Sequence, residues 1–217
     1  MQTLRPAVLA FSLIVSVTPV QGADSPEDLL RLLQSSTMTR ADLGTIMEIS
    51  ATMDFCASNQ PGFERATAKH YATWKQTNQL GLRVVQPTLD AIKGGPRTPV
   101  GEDFSRKCAR LERYFSRSHP DPNLATPELV WERYLEALRS GDRETALDCL
   151  TGPALSNLGE VIESQPQELL HRLGSDFPPM KAIPESGDRT TRNITRKGQA
   201  GQIGFVRALG EWRIENM

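Results

Sequence analysis

Apolar residues recur along this chain at two different periods, and the change between them divides it. From Ser25 to about Leu173 they return every three or four positions, as one face of a helix requires. From Met180 onward they alternate in short runs broken by glycines, as strands do. The first helix opens at Ser25-Pro26-Glu27-Asp28, which gives an N-cap, a proline at the first helical position and acids in the first turn, ahead of Leu29, Leu30, Leu32 and Leu33. Thr39-Arg40-Ala41-Asp42 repeats that grammar before a second helix carrying Leu43, Ile46, Met47, Met53 and Cys56. After the turn Asn59-Gln60-Pro61-Gly62, a third helix places Phe63, Thr67, Tyr71 and Trp74 on one face. It is expected to weaken at Gly81 and to kink or restart at Pro87, running on to Ile92. Beyond a Gly94–Gly101 loop, a fourth helix groups Phe104, Cys108, Leu111 and Phe115 within roughly 60° of one another, with Arg106, Arg110, Arg113 and Arg117 on the opposite side.

Ser118-His119-Pro120-Asp121-Pro122-Asn123 interrupts this periodicity and reads as a boundary. Thr126-Pro127-Glu128 starts a new helix with Val130, Tyr134, Ala137 and Leu138 inward; Ser140-Gly141-Asp142 ends it, and Asp142 caps a short helix through Leu150. Helical turns follow over 153–162 and 166–173, with Gly174 expected to stop the last. Met180–Glu185, Thr190–Arg196, Gln202–Ala208 and Glu211–Ile214 read as strands, the last two joined by a Leu209-Gly210 turn. The expected class is therefore α+β: an N-terminal all-α helical bundle, then helices packed on a short antiparallel sheet. The expected segments are a signal peptide over 1–22, a bundle over 23–118, a linker over 119–125 and a small α+β domain over 126–217.

The signal reading rests on Ala7–Val17, eleven uncharged apolar residues behind Arg5, broken by Thr18-Pro19 and followed by Val20-Gln21-Gly22, with cleavage expected after Gly22. Eleven residues cover about half of a bilayer core, and no later stretch approaches eighteen, so no transmembrane anchor and a soluble mature chain of 195 residues are expected. The location implied is periplasmic or secreted.

A net charge of −1 argues against a nucleic-acid partner. Its distribution is more informative. Residues 119–176 hold 4 Lys/Arg against 11 Asp/Glu, whereas 177–217 hold 7 against 4. An acidic helical stretch before a basic strand-like stretch implies that the two pack together.

Two of the three cysteines, Cys56 and Cys108, lie on apolar helical faces of the bundle, which in an exported protein points to a disulfide. A zinc site using His70 is the rival, without a ligand motif to support it. Cys149, beside Ala146, Leu147 and Leu150, reads as a buried inert thiol. The four arginines of the fourth helix suit weak contact with an anionic surface or acidic partner, or simply a solvated face. No catalytic or metal-ligating constellation and no cofactor motif stands out. Asn193-Ile194-Thr195 matters only in a glycosylating host, and Gly198-Gln199-Ala200-Gly201 lacks a strand-then-helix setting for phosphate.

TPELVWERYLEALRSGDRETALDCL at 126–150, with GFVRALGEWRIENM at the end, resembles exported bacterial members of the nuclear-transport-factor-two-like superfamily. The resemblance implies helices covering a curved sheet as an open-mouthed cone, with Trp131, Tyr134, His171 and Trp212 as pocket-lining candidates. Catalytic members carry Asp and His inside the cone, and no matching pair is found here. Three functions are therefore carried forward: a non-catalytic envelope protein binding an unknown protein partner or small ligand; an enzyme or small-ligand carrier using the cone; and a periplasmic inhibitor or immunity-type protein.

Overall fold

Thr39 shows how closely the local grammar is obeyed. Its hydroxyl accepts from the Asp42 amide while the Asp42 carboxylate accepts from the Thr39 amide, a complete capping box at the head of the second helix. The computed structural model describes residues 26–93, 104–117, 119–181 and 187–217. The expected signal over 1–22 lies outside the described residues, as do the whole of the expected loop over 94–101 and positions 182–185 of the first expected strand.

The N-terminal half is helical: α1 (Pro26–Ser35), α2 (Arg40–Asn59), α3 (Phe63–Thr77), α4 (Gln79–Lys93) and α5 (Phe104–Ser116). Its core gathers Ile46, Met53, Cys56, Phe63, Trp74, Leu89, Cys108, Leu111 and Phe115. The expected weak point at Gly81 and restart at Pro87 is corrected here. The break falls at Asn78, whose side-chain amide donates to the Trp74 carbonyl and closes α3, and α4 runs unbroken through both residues. Pro87 is exposed on the outer side of α4. Gly81 is where α4 passes close to α2: a Cβ there would meet Ile46 Cδ1 at 2.3 Å. The Cys56 and Cys108 sulfurs lie 1.95 Å apart with Cα atoms 5.6 Å apart, joining α2 to α5.

The chain then passes a short 3₁₀ turn (Pro122–Leu124) into α6 (Pro127–Ser140), α7 (Arg143–Asp148), α8 (Gly152–Ser164) and α9 (Gln167–Asp176). Within the segment 119–125, Leu124 is fully buried in the C-terminal core. Gly141, with φ of 76°, caps α6, and Asp142 caps α7 through the Thr145 amide. The Arg143 guanidinium donates to Ile162 O and Gln165 O, satisfying carbonyls at the end of α8. Gly174 does not stop α9, which continues to Asp176. It lets α9 lie against α6, where a Cβ would sit 2.7 Å from the Leu135 carbonyl oxygen.

Three antiparallel strands close the chain in the order β1 (Arg189–Arg196), β2 (Gln199–Ala208) and β3 (Glu211–Asn216). Both connections are two-residue turns with positive φ, Lys197-Gly198 and Leu209-Gly210, the pattern of type I′ hairpins. Met180 and Lys181 carry no strand. The fold is α+β, with a helical N-terminal part and a small three-stranded sheet. The acidic helices meet the basic strand as the charge distribution implies: Arg192 pairs with Glu128, and Arg196 and Lys197 with Asp176. No helix among the described residues is long and apolar enough to cross a membrane.

Closing a loop with a sequence separation of 52 should stabilise the fold by about 4 kcal/mol through the unfolded chain. The Cys56→Ala/Cys108→Ala variant and the reduced wild type should therefore lose urea resistance to the same extent, and reductant should change nothing further in that variant, whose remaining cysteine, Cys149, is a free buried thiol. Equal midpoints with and without reductant would remove the staple from the account.

Candidate functional site

The two hydrophobic cores meet along a polar seam. The Asp42 carboxylate that caps α2 also accepts from the Leu209 amide at the β2–β3 turn, at 2.5 Å. Leu209 itself packs on the N-terminal core. From α5 and the residue after it, Arg106 pairs with Glu163 of α8, Arg113 with Glu144 of α7 at 3.2 Å, and Arg117 with Asp148 of α7 at 3.1 Å. Exposed pairs such as Arg113–Glu144 contribute little individually. Arg117 and Asp148 are more enclosed, at 20% and 12% exposure.

Behind these pairs lies Glu211, at the first position of β3 and 2% exposed at its side chain. Its Oε1 accepts from the Asp121 amide at 2.9 Å and faces His119 Nδ1 at 2.7 Å, and its Oε2 faces the Arg213 guanidinium at 2.5 Å. His119 Nε2 lies against the Tyr114 carbonyl. The ring also lies 3.8 Å, centroid to centroid, from that of Tyr114. Asp121 takes Arg133 at 3.1 Å and caps the 3₁₀ turn through Asn123. Burial acts to raise the Glu211 carboxyl, but the His119 hydrogen bond, the Arg213 charge and the Asp121 amide outweigh it and hold it down at about 2. Burial, then the Glu211 charge, push the Tyr114 phenol up to about 12.

The seam opens on one side into a groove of about 580 Å³. Ile49, Leu111, Leu147, Leu150 and Leu155 give it an apolar floor. Its N-terminal wall carries Glu48, Arg106, Lys107 and Arg110, and its C-terminal wall carries Glu160 and Glu163; Arg117, Asp148 and Arg213 also line it. Gly159 sits on α8 along this wall. A Cβ there would touch only Leu147 and Leu155, each at 3.8 Å, so packing does not require glycine. An interior helical glycine costs about 1 kcal/mol relative to alanine, and here it leaves the groove wide.

The residues singled out from sequence are distributed differently from expectation. Trp131, Tyr134 and Trp212 are each 1% exposed or less and belong to the C-terminal core. The Trp131 ring stacks on Tyr134 and its Nε1 donates to the Pro178 carbonyl. His171 is exposed, its Nδ1 against the Arg139 carbonyl. None of the four lines the groove. Three of the four arginines do, and the acidic surface that Arg106, Arg113 and Arg117 meet belongs to this same chain. Cys149 is buried, and burial pushes its thiol up to about 12, leaving it protonated and inert at neutral pH. Among the described residues no group of His, Cys, Asp and Glu is placed to hold a metal ion.

Sequence reading missed Glu211, His119, Asp121 and Gly159. The available signal was the pair Glu211 and Arg213 flanking Trp212, an ion pair at alternate positions of a strand whose neighbour enters the core. Compared with protein-family models, curated proteins and solved structures, the chain has no match.

Glu211 has a folded pKa below its ordinary value of 4.5, so its stabilising contribution is complete above about pH 4.5 and fades as the pH falls toward 2. Glu211→Gln should cost about 3 kcal/mol at neutral pH. The gap between wild type and variant in urea midpoint should narrow from pH 4.5 downward. A gap constant over that range would show that the carboxylate charge does not hold the seam.

Proposed function

We propose that this chain is an exported, non-catalytic binding protein of the bacterial envelope, periplasmic or secreted, that holds a partner or ligand in the groove between its helical half and its α+β half. The groove carries the proposal: an apolar floor between charged walls, of a volume typical of ligand clefts, at the junction of two separately packed cores. Export is supported by the Ala7–Val17 apolar run with its small-residue cleavage pattern and by the Cys56–Cys108 pair, which suits an oxidising compartment. The proposal treats 23–118 and 126–217 as two domains. It takes the latter as a reduced relative of the nuclear-transport-factor-two-like superfamily, supported by helix, Gly-Asp turn, short helix and a terminal strand through Trp212. In this reading the aromatic residues fill the interior of that domain, and binding shifts to its junction with the bundle.

Expressed with its leader in a Gram-negative host, the protein should be recovered from the periplasm starting at Ala23, by intact mass. Gly159→Trp should preserve melting temperature and block the groove. Wild type and variant, passed over the same envelope extract, should differ by at least tenfold in what they retain. Equal retention by both, or none by either, would overturn the groove as the binding place.

A further inference from the structure

The two walls of the groove carry opposite charge. The N-terminal wall, from α2 and α5, sets Arg106, Lys107, Arg110 and Arg117 against the single acid Glu48. The C-terminal wall, from α7, α8 and β3, sets Asp148, Glu160 and Glu163 against the single base Arg213. The Arg106–Glu163 pair reaches from one wall to the other, so groups on both lie within side-chain reach of a single small molecule. A ligand with only negative charge would meet the α8 acids, and one with only positive charge would meet the α5 bases. Either mismatch is unfavourable in a partly desolvated cleft. Between the charges the floor is aliphatic, and the walls add the hydroxyls of Thr45, Thr52, Thr151 and Ser156. Aliphatic floor, hydroxyl-bearing walls and opposed charges match apolar side chains, amide groups and two oppositely charged ends.

Resting on the reading of this groove as the binding place, we propose that its ligand class is short apolar peptides with free termini, the α-carboxylate at the α5 wall and the α-ammonium at the α8 wall. Three extended residues span about 10 Å, a length in keeping with a cleft of about 580 Å³. Gly159 is the residue that makes room for the body of the peptide, since α8 passes the floor there without a side chain.

Isothermal titration of the full chain with Leu-Leu-Leu, its N-acetylated form and its C-amidated form tests the assignment. The free peptide should bind, with each blocked form at least tenfold weaker. Glu160→Lys should weaken the free peptide and bring the acetylated form level with it. Gly159→Trp should abolish binding of the free peptide. Arg110→Glu, on the opposite wall, should weaken the free peptide about tenfold while sparing the amidated one, and stands independently if Gly159→Trp does not fold. Three forms binding alike, or a blocked form binding more tightly, would overturn the ligand class while leaving the groove as a site. Binding that survives Gly159→Trp, with that variant shown to be folded, would overturn the groove itself. No heat from any form at millimolar concentration would overturn the peptide assignment, and the envelope-retention comparison would still decide whether the groove binds anything.

Discussion

A carboxylate taken out of water needs its charge answered from within the protein, and Glu211 shows how much structure that requirement organises. Its three donors come from two places in the chain: His119 and Asp121 from the segment between the halves, and Arg213 from its own strand. Each donor is itself held. His119 lies against the last full turn of α5 through Tyr114, Asp121 is pinned by Arg133 of α6, and the Arg213 Nε donates to the Asp148 carbonyl at the end of α7. Displacing any of these segments would leave a buried charge without its partners. Apolar contact is present at the same seam, with Leu209 the side chain of the β2–β3 turn that reaches the N-terminal core. The directional polar contacts constrain the relation between the halves, because hydrogen bonds and ion pairs fix geometry more sharply than apolar contact does.

What was legible in the sequence was what local physics decides. Capping residues announced α2, α6 and α7 because the Thr39, Thr126 and Asp142 side chains must answer amides within three residues of themselves. Leu209-Gly210 was legible as a turn because a tight hairpin asks for positive φ, which glycine supplies readily. Period and charge gave the α+β order and the pairing of acidic helices with a basic strand. Local reasoning failed where a distant element decides. Gly81 and Gly174 were read as helix breakers, yet both lie within helices and mark close approach, by α2 and α6 respectively. Asn78, an unremarkable residue in the sequence, ends α3 because its side chain captures a carbonyl one turn back.

The groove was illegible for the same reason. Its walls come from three stretches far apart in the chain, 45–52, 106–117 and 147–163, with Arg213 from the last strand, and no one of them forms a cleft by itself. The arginine face of α5 was visible as a pattern, but its partners Glu144, Asp148 and Glu163 lie in helices 30 or more residues away, beyond the reach of periodicity. Charge counted by segment balanced the acidic helices against the strand that follows them. The same acids also serve the helix on the other side of the seam, and a count within segments cannot reveal that.

Seam and groove are not independent features. Arg117, Asp148 and Arg213 line the groove and also belong to the ion-pair network around Glu211. Any occupant that draws on Arg117 or Asp148 competes with, or reinforces, the contacts that hold the halves together. By reciprocity, whatever stabilises the seam raises affinity for an occupant that reinforces it, and that occupant stabilises the seam to the same extent. Protonation of Glu211 would release Arg213 from its anion and so alter the charge at that part of the groove. A peptide bridging the oppositely charged walls would add a further link across the seam, parallel to Arg106–Glu163. The buried carboxylate and the open groove are in that sense one device, with the fixed geometry of the first setting the spacing of the walls in the second.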